Sequence, residues 1–243
     1  MQKGMVFFMS KKVGIICAGD REFEPFISHI DGAAIAERAM LKIYEGSING
    51  VSVAALFSGV CKVNAAIAAQ LLIDRYGVDI IINAGTAGAM DTRLSIFDTV
   101  ISTETAYHDV ADHILTGFHP WMESVYFKSD EELLHLSEIA VEKADKMNKV
   151  FWGRMVTGEA FIGNDGRAEI NEKYSPLTID MESASIAHVC FVNQIPFISV
   201  RCITDTAAQS GVDTFEKNCA KASEISKDIT LALLEEINIH YSG

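Results

Sequence analysis

The sequence predicts a single α/β domain in which helices flank a mixed, mostly parallel central sheet. Segments typical of strands and of helices alternate along the chain, without a linker, a repeat or a low-complexity segment between them. One strand candidate, "VDIIINAGTAGAM" (78–90), begins as a continuous apolar run, which is the pattern of a strand covered by helices on both faces. With 243 residues, 49% of them hydrophobic, the chain can form one such domain around a sizeable core.

Strands are indicated by short runs of β-branched and other apolar residues. The run 78–90 is expected to leave its strand at "NAGTAG" (83–88) as a glycine-rich turn. "AMLKIYEG" is expected to form a hairpin with the strand "GVSVAALF" that follows it. The remaining strand candidates are "KKVGIIC", "FDTVISTETAYHD", "KVFWGRMVT", "LTID" and "PFISVRCITD".

Helices are indicated by apolar residues that recur every three or four positions. "KVNAAIAAQLLIDRYG" (62–77) carries Val63, Ile67 and Leu71 at this spacing, and Gly77 is expected to cap its C-terminus. The segment 129–149 opens with Ser129 and Glu132, the pattern of a capping box. Two further helices are expected in "ESASIAHVCFVNQ" and over about 216–239.

Charge and cysteine usage restrict the classes of partner. Because 33 acidic residues outnumber 20 basic ones and no basic cluster occurs, nucleic acid and anionic membranes are not expected as partners. The five cysteines are scattered without a CxxC pair, which favours reduced thiols and a cytoplasmic location. No run reaches the roughly 18 apolar residues that span a membrane. Residues 1–10 are expected to be a peripheral segment ahead of one catalytic domain, 11–243.

Polar side chains follow the predicted strands, at the sheet edge where ligands bind in α/β folds. They include three acids, Glu22, Glu182 and Asp205, and one arginine within a strand, Arg201. A buried arginine requires a paired acid. The set contains neither cysteine nor histidine, which argues against thiol catalysis, a Ser-His-acid triad and a zinc site. It fits chemistry that uses carboxylates, such as cleavage of a glycosidic bond, and predicts no metal or cofactor.

Each of these features also has a purely structural interpretation. "NAGTAG" lacks both the dinucleotide fingerprint and the Lys-Ser/Thr of a P-loop, so it could be only a tight turn. Glu22 could be a surface residue near a helix start, and Asp205 could be a helix cap. Asp180 is best explained as a structural cap. "HDVADH" (108–113) has histidines, but its spacing matches no standard metal site.

Taken in order, the strand ends resemble one family over nearly the whole chain from Val13. The segments are "VGIICAGDREFEPF", "FSGVCKVNAAIAA", "DIIINAGTAGAM", "TGEAFIGN", "IDMESASIAHVC" and "ISVRCITDTA". They are similar to the 5′-methylthioadenosine/S-adenosylhomocysteine nucleosidases, of the purine nucleoside phosphorylase-like superfamily. The resemblance implies that superfamily's fold, a homodimer, and hydrolysis of an adenine nucleoside without a cofactor.

The resemblance also implies catalytic roles. Glu22 matches the acid that orients and deprotonates the attacking water. Thr86, where the family usually has serine, and Arg201 would help to hold that water. Asp205 would protonate N7 of the purine, and Thr204 would orient Asp205.

The remaining implied residues are substrate contacts. Glu182 would accept hydrogen bonds from the ribose hydroxyls, and Met181 would lie against the ribose. Phe161 would stack on the adenine, while the backbone of Ile162 would read its N1 and N6 edge. Further contacts are expected from Val60, Ala87 and Gly88.

A phosphate-dependent purine nucleoside phosphorylase is the alternative on the same fold. The related phosphorylases place an arginine where this chain has Asn83, and no arginine occurs between Thr204 and Lys217. Because a phosphate dianion needs guanidinium groups, water is the expected nucleophile. A non-catalytic nucleoside sensor would be expected to lose at least one of the three acids. The segment "VADHILTGFHPWMESVYF" departs from the family pattern, so the sequence does not rank the possible 5′ substituents.

Overall fold

The computed structural model describes residues 11–118, 122–144, 149–163 and 165–242. Over these ranges the chain forms one ten-stranded sheet and seven helices. The strands are β1 (Lys12–Cys17), β2 (Asp31–Arg38), β3 (Leu41–Ile48), β4 (Val51–Phe57), β5 (Ile80–Ala89), β6 (Thr99–Tyr107), β7 (Tyr126–Lys128), β8 (Val150–Thr157), β9 (Thr178–Asp180) and β10 (Phe197–Asp205). The helices are α1 (Asp20–Ile27), α2 (Lys62–Tyr76), α3 (Asp112–Phe118), α4 (Glu131–Lys143), α5 (Arg167–Tyr174), α6 (Ser183–Asn193) and α7 (Val212–Ser242). The segment 1–10, predicted to be peripheral, lies outside the described residues.

The apolar strand β5 lies at the centre of the sheet. It pairs in parallel with β1 on one side and with β10 on the other. From β10 the pairing continues through β6, β8 and β9 back to β5, so these five strands close a ring. On the other side β1 leads outward to β4, β3 and β2. The mixed sheet is therefore confirmed, with parallel pairing at its centre and in five of the ten pairings between described strands.

Helices cover both faces of this sheet, as the continuous apolar strand predicts. Neighbouring residues of β1 point to opposite sides, so Ile15 packs in one core and Ile16 in the other. Helices α1, α4 and α7 pack on the side of Ile15. Helices α2, α3 and α6 pack on the side of Ile16. The central strands are buried between these two layers.

Strand β2 and the start of α4 differ from what the sequence analysis predicts. Strand β2 is missing from the predicted elements because all eight of its residues are exposed, so no apolar pattern marks it; it is held by backbone pairing with β3. Helix α4 is capped by Asp130, whose Oδ1 accepts from the backbone N–H of Glu132 at 3.1 Å and of Leu133 at 3.0 Å. Ser129 is not the cap, because its hydroxyl is bonded to that of Ser102 in the interior at 2.7 Å.

Helix α2 and its cap at Gly77 are confirmed, but the apolar stripe used to predict this helix is not its buried face. Val63 and Ile67 are exposed, and the buried residues are small ones with Leu72: Ala65, Ala68 and Ala69. Alanines let α2 approach α6 closely, whereas Val63 and Ile67 remain on the outer surface.

The "NAGTAG" segment is strand rather than turn, since β5 continues to Ala89. Its glycines leave room for two carboxylates that lie directly on the strand. A Cβ at Gly85 would lie 2.6 Å from Oε1 of Glu22. A Cβ at Gly88 would lie 3.2 Å from Oδ2 of Asp205. The glycines therefore permit a close approach of acids to the backbone.

We expect Gly85→Ala to lower the free energy of unfolding by about 2 kcal/mol, because the new Cβ overlaps a buried side chain that cannot move without losing hydrogen bonds. Chemical denaturation followed by circular dichroism measures this change. The control is Gly117→Ala in α3, where a Cβ meets nothing within 4 Å and stability should be unchanged or slightly raised. Equal stability of Gly85→Ala and the wild type would contradict the close-approach explanation.

Candidate active site

The twelve residues predicted for the site line one cavity of about 390 Å³. They are Glu22, Val60, Thr86, Ala87, Gly88, Phe161, Ile162, Met181, Glu182, Arg201, Thr204 and Asp205. The cavity wall also includes residues that the sequence analysis did not select, among them Asp20, Phe215 and Cys219. The strand ends chosen from the sequence are thus brought together in space.

Glu22 lies in the first turn of α1, directly after β1, and its carboxylate is surrounded by donors. Oε1 accepts from the backbone N–H and from the hydroxyl of Thr86, both at 2.7 Å. Oε2 accepts from the backbone N–H of Ala18 at 2.9 Å and of Gly19 at 3.1 Å. The side chain is buried and points into the cavity. It is therefore not the surface residue that the structural interpretation allowed.

Arg201 on β10 is 1% exposed and is the charged centre of the site. Three carboxylates surround its guanidinium: Glu182 at 3.3 Å, Asp180 at 3.4 Å and Glu22 at 3.9 Å. Its remaining N–H groups donate to the side-chain oxygen of Asn83 at 2.7 Å and to the carbonyl of Thr86 at 3.0 Å. The requirement that a buried arginine be paired with acid is met three times over.

Glu182 immediately precedes α6, and its carboxylate is held between Arg201 and the start of α2. Oε1 accepts from the backbone N–H of Cys61 at 2.9 Å, and Oε2 faces Arg201. Burial raises the pKa of Glu182 to about 7; Arg201 acts in the opposite direction, and the negative charges of Asp180 and Glu22 add to the rise. The site therefore carries more negative charge than Arg201 can balance.

Asp180 is a structural residue at the start of α6, as predicted. Its Oδ1 accepts from the backbone N–H groups of Glu182 at 3.1 Å and Ser183 at 3.0 Å, and from the hydroxyl of Thr157 at 2.6 Å. These bonds join the end of β8 to the turn that carries Met181 and Glu182. Asp180 thus fixes the turn from which the cavity-lining acid projects.

Asp205 ends β10 and is aimed by a β-bulge. The pairing of β10 with β5 shifts register between Ile203 and Asp205, which leaves Thr204 as the extra residue. The Thr204 hydroxyl donates to Oδ1 of Asp205 at 3.1 Å. Asp205 is 2% exposed and no helix begins at it, so the alternative of a helix cap is wrong.

Arg167 is the charged neighbour of Asp205 that the sequence analysis missed. Its Nη2 donates to Oδ2 of Asp205 at 3.1 Å, and the side chain is 5% exposed. Burial raises the pKa of Asp205, and the charge of Arg167 together with the Thr204 hydroxyl limits that rise. The stretch around Arg167 is polar and matches no motif, so no signal in the sequence placed it beside the acid.

Apolar side chains complete the cavity. Phe161 and Ile162 follow β8 on the side of Asp205, and Met181 lies in the turn between Asp180 and Glu182. Phe161 remains 42% exposed on the cavity wall. Val60 is 50% exposed at the edge of the cavity. The cavity therefore has charged groups at its inner end and apolar walls around them.

The described residues offer neither a metal cluster nor a membrane-spanning helix. Among the described side chains, no group of three or more His, Cys, Asp or Glu is placed to hold a metal ion. None of the described helices combines the length and the hydropathy needed to cross a membrane.

Comparison with known proteins identifies the family. The model of the phosphorylase superfamily matches residues 12–235. A 5′-methylthioadenosine/S-adenosylhomocysteine nucleosidase of Staphylococcus carnosus is 34% identical over 231 residues, covering 93% of this chain and all of that protein. This chain belongs to the 5′-methylthioadenosine/S-adenosylhomocysteine nucleosidase family. The resemblance noted from the strand ends is thereby confirmed.

Solved structures of nucleosidases from this family share the fold. The enzyme of Colwellia psychrerythraea, in complex with adenine, superposes with a TM-score of 0.86 at 29% identity. The match covers 96% of this chain and 98% of the Colwellia chain. The enzyme of Neisseria meningitidis, in complex with methylthio-immucillin-A, gives a TM-score of 0.85 at 28% identity, with coverages of 93% and 99%.

A strained residue, Cys61, holds Glu182 in this member of the nucleosidase family. Cys61, whose N–H donates to Glu182, has φ 82° and ψ 164°, a backbone conformation that is almost restricted to glycine. Keeping a cysteine there costs stability, on the order of 1–3 kcal/mol.

We expect Cys61→Gly to raise the free energy of unfolding by about 1 kcal/mol, because relief of the strain exceeds the added freedom of glycine in the unfolded chain. Denaturant titration measures the gain. Cys61→Ala is the matched control: it also removes the thiol but retains a Cβ, so it should bring no gain. If alanine stabilised the protein as much as glycine, the effect would come from the thiol and not from the backbone.

Proposed function

We propose that this protein hydrolyses the N-glycosidic bond of 5′-methylthioadenosine, of S-adenosylhomocysteine, or of both, and releases adenine and the 5′-thioribose product. The observation that carries this proposal is the arrangement of Glu22, Glu182 and Asp205 around one cavity whose central cation, Arg201, is already surrounded by acids. Family membership supports the same reaction.

Protonation of the leaving group is assigned to Asp205. Adenine leaves poorly as an anion, and protonation at N7 makes it a neutral leaving group. This step needs a carboxylic acid that still holds its proton near neutral pH, and the burial that raises the pKa of Asp205 favours that state. Thr204 would orient the carboxyl group through its bond to Oδ1.

The ribose is expected to bind at the end of the cavity where three carboxylates surround Arg201. As the glycosidic bond breaks, positive charge develops on the ribose, and preorganised carboxylates stabilise such charge. Glu182 would accept hydrogen bonds from the ribose hydroxyls while Met181 packs against the ring. Because three carboxylates face a single arginine, the uncompensated charge has the sign that this transition state needs.

Activation of the attacking water is assigned to Glu22. Four donors already fill the acceptor positions of this carboxylate, and the Thr86 hydroxyl is the one among them that can rotate. Turning this hydroxyl would let a water donate to Oε1, from which Glu22 can take the proton. Arg201, 3.9 Å from Oε1, would help to hold that water.

Recognition of the adenine ring is assigned to the segment after β8. Phe161 is partly exposed on the cavity wall, where adenine would stack on its ring, and the backbone of Ile162 would read the N1 and N6 edge of the adenine. Ala87 and Gly88 of β5 and Val60 at the cavity edge would supply further contacts. The flat base would thus lie between β5 and this segment, beside Asp205.

The phosphorylase alternative lacks a suitable anion site. Among the described residues that line the cavity, the arginines are Arg21 and Arg201. Arg21 is paired with Glu216, and Arg201 is paired with three carboxylates. A phosphate dianion would have to displace acids from these cations, so water is the better nucleophile. The sensor alternative is disfavoured because all three acids are present and assembled.

With methylthioadenosine as substrate, we expect adenine release at the same rate with and without phosphate. Asp205→Asn should lower kcat by about 10²–10⁴-fold, because an amide cannot supply the N7 proton. Chromatography of free adenine measures both effects. Asp98→Asn, which alters a buried acid that is absent from the cavity wall, is the control for general damage.

Release that required phosphate would identify a phosphorylase instead. Absence of adenine release from any adenine nucleoside in either buffer would reject the enzyme and favour the sensor. The same assay with S-adenosylhomocysteine compares the two 5′ groups.

We also infer that the protein acts as a homodimer in the cytoplasm. Seven of the fourteen large apolar side chains that the described residues expose belong to α2, α3, α6 and the approach to α2: Val60, Val63, Ile67, Ile114, Phe118, Phe191 and Val192. These helices share one core, so their outer residues belong to one side of the sheet. Exposed apolar side chains concentrated on one side favour an interface, and a second copy would bury them next to the cavity edge at Val60. The five free cysteines support a reducing compartment.

We expect Val63→Glu to convert the dimer to a monomer, since it places a charge within this apolar surface. Light scattering coupled to gel filtration gives the mass. Ile239→Glu, at an exposed apolar position of α7, should leave the mass unchanged. A wild type that is monomeric at micromolar concentration would refute the assignment.

A further inference from the structure

A second buried arginine, Arg167, joins the proposed general acid to the proposed adenine-reading segment. Its Nη2 donates to Oδ2 of Asp205 at 3.1 Å. Its Nε donates to the carbonyl of Gly163 at 3.2 Å, and its Nη1 donates to the carbonyl of Ala89 at the end of β5. One guanidinium at the start of α5 therefore contacts the acid, the segment after β8 and the central strand.

A permanent cation beside a general acid has a definite chemical consequence. When Asp205 gives its proton to N7, the C1′–N9 bond breaks, its electron pair goes to the purine, and Asp205 becomes a carboxylate in a buried site. An unpaired buried carboxylate is costly, and a guanidinium already at hydrogen-bond distance removes that cost without any rearrangement.

We propose that Arg167 is a positioning residue for this proton transfer, which holds and stabilises the carboxylate that Asp205 becomes as adenine leaves. The inference rests on the proposed hydrolysis and deepens it. Because the same side chain is bonded to Gly163, next to Ile162, the place where adenine is read and the acid that protonates it are held in one fixed relation.

The groups that face Asp205 are few, so the effect of Arg167 can be isolated. From α5 the neighbour is Arg167, from β10 it is the Thr204 hydroxyl, and from β5 it is the backbone of Gly88. Arg167 is the group among these that carries charge. Burial raises the pKa of Asp205 and Arg167 lowers it, so loss of the arginine leaves burial opposed by the Thr204 hydroxyl alone.

The test is the pH profile of adenine release by Arg167→Gln and Arg167→Lys. Activity requires protonated Asp205, so kcat/KM falls as pH rises through its pKa. Removing the positive charge raises that pKa. In Arg167→Gln the alkaline limb, where kcat/KM falls with rising pH, should therefore move to higher pH by about one unit. At the same time kcat should fall about 10–100-fold with a smaller change in KM, because the acid gives up its proton less readily. Arg167→Lys, which keeps the charge, should restore most of kcat and the original limb.

Arg154→Gln is the matched control. Arg154 also braces α5, by donating to the carbonyl of Tyr174, and it pairs with Glu104 at 2.6 Å away from Asp205. It should lower stability without moving the limb. An unmoved limb in a folded Arg167→Gln variant, or an equal shift in Arg154→Gln, would overturn the proposal.

If Arg167→Gln does not fold, Arg167→Lys carries the test alone. The expected result is an alkaline limb that does not move and a kcat within about tenfold of wild type. A displaced limb would overturn the proposal. Wild-type protein that releases no adenine would reject the proposed function itself, an outcome seen before any variant is compared.

Discussion

The buried Arg201 is the interaction on which the rest of the site depends. Removing a guanidinium from water costs several kcal/mol, and in this fold the cost is offset by three carboxylates and by the carbonyl and amide oxygens of β5. These partners come from α1, from β5 and from the turn before α6. Because Arg201 satisfies all of them at once, it fixes the relative positions of elements that are far apart in the sequence.

Glu22 and Asp205 are both carboxyl groups in this cavity, but their neighbours suit them to opposite tasks. Glu22 is encircled by backbone and hydroxyl donors, the surroundings of a group that accepts. Asp205 is buried at a bulge, where burial favours the protonated form and one arginine keeps that proton available. Glu22 lies beside Gly85 of β5, and Asp205 lies beside Gly88 of the same strand. A nucleoside placed along this strand would meet a proton acceptor, Glu22, near its sugar and a proton donor, Asp205, at its adenine.

The sequence predicted most of the frame, since apolar runs mark buried strands, and the twelve residues selected from it lie on the wall of one cavity, while their roles stay predictions. Its failures have physical causes. Strand β2 is held by backbone pairing and carries no apolar pattern. "NAGTAG" appeared to be a turn because its glycines serve close approach rather than bending. On α2, Val63 and Ile67 face outward while alanines and Leu72 face the core. In each case the deciding interaction involves a neighbour distant in sequence.

Arg167 is the clearest example of what spacing in a sequence cannot reveal. It stands in a polar stretch, 38 residues before the acid that it contacts. Its position follows from two facts that only the fold supplies: the bulge at Thr204 shifts the register of Asp205 on β5, and α5 starts against the end of β5. Arg201 and Arg167 then divide the work of charge compensation between the two ends of the cavity. Arg201 offsets only part of the charge of three acids and leaves that end of the cavity negative, whereas Arg167 meets a single acid and would balance it once its proton is gone.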